Sequence, residues 1–99
     1  MEKKEMYALT YLYAGNGDDY PTASTLAVST DVEKLKAKMQ ECVEEDCLDT
    51  DEIEDFDGDE YAHNFQIYRK SADGMSVRLE SKLDFELTLT YEIEEVEVL

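Results

Sequence analysis

The chain is short of the residues that most activities need. Nine Lys and Arg stand against 26 Asp and Glu, a net charge of −17. Nine scattered cations cannot offset that repulsion from a phosphate backbone, so direct binding of DNA or RNA is not expected. An anionic lipid surface repels the chain for the same reason. One histidine, His63, and two cysteines, Cys42 and Cys47, do not make a four-ligand zinc site. Five residues apart on one helix, the two thiols point about 140° from each other, which opposes a disulfide. Both are expected reduced, Cys42 in the core and Cys47 near a helix end. There is no glycine-rich phosphate loop, no Gly-x-Ser-x-Gly and no His-Glu-x-x-His. A Cys–His pair has no local support, so neither an enzyme nor a cofactor is expected. No apolar run approaches the ~20 residues that span a bilayer. Met1-Glu2-Lys3-Lys4-Glu5 leads into no signal-peptide core, and a cytoplasmic protein is expected.

What is present points to a folded chain. Apolar residues make up 42% and aromatics 10% of 99 residues, too much for global disorder, and the length suits one domain over 1–99. Tyr7, Leu9, Tyr11 and Tyr13 alternate with Met6, Ala8, Thr10 and Leu12, which predicts a strand over Met6–Ala14. Gly15-Asn16-Gly17-Asp18-Asp19 and Pro21 break it, and Thr25–Ser29 is a second strand that pairs antiparallel with the first. Thr30 and Glu33 read as a capping box. Val32, Leu35, Met39, Cys42 and Val43 then trace one face of a helix. Glu44, Glu45 and Asp46 sit where the helix dipole favours cations, so the helix should fray near residue 45 unless a positive group lies there.

Further on, Asn64–Lys70 and Met75–Lys82 alternate around Ser71-Ala72-Asp73-Gly74, a hairpin. Phe85, Leu87, Leu89, Tyr91 and Ile93 form the apolar face of a last strand. Its alternation slips at Glu94-Glu95, where a bulge is the simplest repair. Arg78 and Lys82 are placed to oppose its glutamates. The order β-β-α-β-β-β predicts an α+β fold: an antiparallel sheet of four to five strands with one helix on a face. The helix should pack on Tyr7, Leu9, Tyr11, Phe85, Leu87 and Leu89. Tyr7, Tyr11 and Tyr13 are read as the sheet face beneath it, with a binding platform as the alternative. The uncharged second strand is a weakly protected edge through which copies of the chain can pair.

Residues 41–60 hold twelve acids and no base. From about 46 to 62 such density predicts an open loop. Its carboxylates and one aromatic are the candidate partner-binding residues: Glu44, Glu45, Asp49, Asp51, Glu52, Glu54, Asp55, Phe56, Asp57 and Asp59. An extended chain advances ~3.3 Å per residue, and duplex DNA carries one charge per ~1.7 Å. The two charge densities are therefore of one order, and the segment can stand in for nucleic acid before a basic protein, as a mimic or inhibitor. Leu48, Ile53, Phe56 and Tyr61 can add apolar anchors. The alternative is a divalent cation. Asp55-Phe56-Asp57-Gly58-Asp59 looks like part of a calcium loop, but Ile53 and Asn64 fall where that loop needs acids, leaving Asp55, Asp57 and Asp59 as weak ligands.

Tyr7-x-Leu9-x-Tyr11-x-Tyr13, then Leu26-x-Val28-Ser29-Thr30 leading into Glu33-Lys34-Leu35, with Tyr91-x-Ile93-x-Glu95-Val96-Glu97-Val98, resembles small bacterial and phage-associated proteins of ββα…β form. The resemblance covers about half the chain and rests on structural positions. It implies a compact α+β domain and carries over no activity, ligand or catalytic residue.

Overall fold

The computed structural model describes residues 5–15, 22–84 and 86–97. The turn expected at 16–19, Pro21, Phe85 and Val98 lie outside the described residues. Strands β1 (Met6–Ala14) and β2 (Thr22–Ser29) precede helix α1 (Val32–Asp46), and β3 (Phe65–Lys70), β4 (Ser76–Ser81) and β5 (Thr88–Val96) follow the acidic segment. The five strands form one antiparallel sheet in the order β2-β1-β5-β4-β3, with α1 packed on one face. This is the α+β fold that the sequence pattern predicts.

Period-two alternation places the apolar residues of β1, β4 and β5 in register on the helix side. Leu9 faces Ile93, Tyr11 faces Tyr91, Leu79 faces Leu89 and Val77 faces Tyr91. Leu35, Met39 and Val43 of α1 bury against them, and Phe65 closes the far side. Each side chain withdrawn from water contributes roughly 1.5–3 kcal/mol. The opposite face carries Thr10, Leu12, Thr90 and Glu92, and Leu12 is 41% exposed there.

Several local details differ from expectation. The helix begins one residue later than the Thr30 capping box. Asp31 is the N-cap, its Oδ1 accepting from the Glu33 N–H at 3.0 Å while its own N–H donates to Ser29 Oγ. Aspartate caps as well as threonine and adds negative charge at the positive end of the dipole. Strand β2 starts at Thr22 because Tyr13 still finds a partner there. The bulge expected at Glu94-Glu95 is absent: β1–β5 pairing runs unbroken from Met6↔Val96 to Ala14↔Thr88. The slipped parity is absorbed where the apolar face ends, leaving Glu95 exposed opposite Tyr7. Register shifts instead fall on the two edge pairs, with Leu26 unpaired in β2 and Tyr68 in β3.

The cross-strand ion pairs also resolve differently. Arg78 lies opposite Thr90, with its guanidinium 5.7 Å from the Tyr68 ring centre. Lys82 turns to Asp49. The hairpin between β3 and β4 is tied by Ser71 Oγ, which accepts from the Met75 and Ser76 N–H groups, and by Gly74 at φ +73°. Lys36 Nζ donates to the Asp73 carbonyl oxygen at 3.1 Å, joining α1 to this turn.

Candidate functional site

The acidic segment begins on the last turn of α1, where three consecutive acids oppose the dipole and no basic residue helps. The helix nonetheless runs through Asp46 rather than fraying near 45. His63 Nδ1 lies 3.0 Å from the Glu45 carbonyl oxygen. A carbonyl can only accept, so this nitrogen donates and satisfies one of the open groups at the helix end. Asp46 accepts a hydrogen bond from the Tyr91 hydroxyl. Burial pushes the Asp46 carboxyl above its ordinary value, and burial with the Asp46 contact pushes Tyr91 up as well.

Beyond the helix the chain is more ordered than charge density alone predicts. Two short 3-10 turns, Thr50–Glu52 and Glu60–Ala62, bracket it, and Asn64 holds both. Its Oδ1 accepts from the Thr50 N–H at 3.0 Å. Its Nδ2 donates to Thr50 Oγ1 at 3.1 Å and to the Glu60 carbonyl at 3.0 Å. Its main chain donates to the Leu48 carbonyl and accepts from the Lys82 N–H, each at 2.9 Å. Asn64 is 7% exposed and sits at φ +63°, a conformation asparagine tolerates better than most residues. The Lys82–Asp49 pair at 2.9 Å and the edge-on packing of Phe56 against His63 add two further ties. The open-loop expectation is thus corrected for the two ends of the segment: hydrogen bonds to a buried asparagine tie Leu48, Thr50 and Glu60 together despite like-charge repulsion.

The side chains are a separate matter. Glu44, Glu45, Asp51, Glu52, Glu54, Asp55, Asp57 and Asp59 are exposed, while Asp49 and Phe56 are half-buried. Leu48 at 44% and Tyr61 at 45% exposure stand among them. The weak calcium ligands do not converge. Asp55 turns the chain at φ +55°, Asp59 Oδ1 accepts from the Tyr61 N–H, and among the described residues no three metal-capable side chains form a group.

Two cavities flank Asp46. One, of about 360 Å³, lies beside Leu26, Lys38 and Glu41. The other, of about 330 Å³, lies under the 59–62 turn, over Phe65 and Leu89. Tyr11, Tyr91 and Asp46 border both. The Tyr11 and Tyr91 rings are 6.1 Å apart and tilted by 33°. Both cysteines are free and half-buried, and burial pushes each thiol up. Sequence reasoning missed Asn64 as a hub and the Asp46–Tyr91 contact. Asn64 is of a residue type that adopts the left-handed backbone more readily than most.

No protein-family model, curated protein or solved structure matches the chain. Among the described residues, no helix is long and apolar enough to cross a membrane.

Proposed function

We propose that the protein acts by binding, without catalysis, and that its partner is a basic macromolecule engaged by the carboxylates of residues 44–59. One observation carries this reading: the carboxylates are exposed while both ends of the segment that bears them, at Thr50 and Glu60, are already tied to Asn64. Ordering a free segment costs about 1–2 kcal/mol per residue, and a held segment avoids much of that on association. Exposed Leu48 and Tyr61 offer apolar contact inside the charged field. Thiols pushed toward the protonated form make poor nucleophiles, which favours binding over covalent chemistry. A cationic groove built for phosphates is the natural counterpart, so competition with nucleic acid is the expected effect on such a partner.

Calorimetric titration with a lysine octapeptide at rising ionic strength tests this. Affinity should fall about tenfold between low and physiological salt. A variant carrying Asp51→Asn, Glu52→Gln, Glu54→Gln and Asp57→Asn should bind about tenfold more weakly with the fold unchanged. Absence of binding at low salt, or binding indifferent to salt, overturns the proposal.

A further inference from the structure

The cavity of about 330 Å³ beneath the 59–62 turn differs chemically from the carboxylate field around it. Its volume is within the range of small-ligand sites. Four phenol rings border it, those of Tyr11 and Tyr13 on β1, Tyr91 on β5 and Tyr61 in the acidic segment. Two carboxylates, Asp46 and Asp59, complete the lining, and among the described residues no lysine or arginine borders it. Each carboxylate has one oxygen engaged, Asp46 Oδ2 by Tyr91 and Asp59 Oδ1 by the Tyr61 N–H. The second oxygen of each can accept. Aromatic faces attract cations within about 6 Å of the ring centre. Rings and carboxylates together therefore select an organic cation with an apolar stem over a hydrated metal ion. The neighbouring cavity is less suited to a cation, because Lys38 borders it.

We propose that this tyrosine-lined cavity receives an arginine side chain of the basic partner. The proposal rests on the binding function above and names the residue type it reads. Arginine fits better than lysine for three reasons. Its guanidinium is planar and stacks on phenol rings, it is weakly hydrated, and its fork of N–H donors can bridge two carboxylates. Its methylene stem lies against the Phe65 and Leu89 floor, as long cationic side chains do on apolar surface.

The test compares arginine and lysine octapeptides by calorimetry at low salt, using the full chain and two variants of Tyr61. That ring is 45% exposed, so replacing it spares the core. The unaltered chain should bind the arginine peptide about fivefold more tightly. Tyr61→Leu should erase the preference, and Tyr61→Phe, which keeps a ring, should preserve it. Equal affinity for the two peptides, or a preference that survives Tyr61→Leu, overturns the arginine site and leaves the charge-driven function standing. Failure of both peptides to bind removes the function and the site with it.

Discussion

Asn64 holds a positive φ, near-complete burial and bonds to both ends of the acidic segment at once, so its replacement removes several things together. Asn64→Ala loses the side-chain bonds, strands the Thr50 N–H and strains the backbone. The expected loss is about 3 kcal/mol, read by urea denaturation. Asn64→Gly relaxes the backbone and should recover about 1 kcal/mol of it. A second expectation concerns Asp46, whose carboxyl burial raises above its ordinary 3.8. Between 3.8 and the raised value the folded state keeps a proton that the unfolded chain has lost. Stability contributed by this group therefore falls as pH rises through that window, and the penalty persists at neutral pH. Asp46→Asn removes the penalty and the clash with the helix dipole while keeping an acceptor for Tyr91. It should be more stable than the unaltered chain by about 0.5 kcal/mol at pH 7. The difference should vanish below pH 3.8. Denaturation of both proteins at the two pH values checks it, and subtracting one from the other cancels the remaining carboxylates.

At the scale of elements, the hairpin joining β3 to β4 depends on one glycine. An added Cβ at Gly74 meets Lys36 Nζ at an ordinary 3.6 Å, so space does not forbid alanine; the φ of +73° does. Gly74→Ala should cost about 1 kcal/mol with the circular dichroism spectrum unchanged. Leu79→Ala, which empties a fully buried position of β4, should cost about 3 kcal/mol. These elements were legible in the sequence because alternation at Val77, Leu79, Leu89, Tyr91 and Ile93 reports directly which face is covered. The start of α1 was legible only to within a residue. Thr30 and Asp31 both cap well, and the structure uses Asp31, whose own N–H donates to Ser29 Oγ. The slip at Glu94-Glu95 misled because an exposed strand end absorbs a change of parity that a buried one cannot. Order in the acidic segment was hidden for a different reason. Charge density speaks of side chains, whereas the backbone ends there are tied by Asn64, which bonds across 14 residues to Thr50. The exposed carboxylates were readable from composition; the tyrosine cavity was not, since it brings Tyr11, Tyr61 and Tyr91 together from three separate parts of the chain.

Across the whole molecule, a net charge of −17 opposes compaction wherever the carboxylates lie. Added salt screens that repulsion, with a Debye length falling to about 10 Å at 0.1 M. Raising sodium chloride from low to moderate concentration should therefore stabilise the fold by on the order of 1 kcal/mol, some 4–8 °C in Tm. Scanning calorimetry at several ionic strengths measures it, and a Tm that does not move would place the repulsion below other terms. The strand order has an effect of its own. β5, last of the five in chain order, lies at the middle of the sheet, between β1 and β4. A nascent chain leaving the ribosome thus carries an early hairpin whose inner border has no neighbour until β5 itself emerges. During that interval an unfilled ladder invites pairing between adjacent polypeptides, and mutual anionic repulsion keeps them apart until the missing strand arrives.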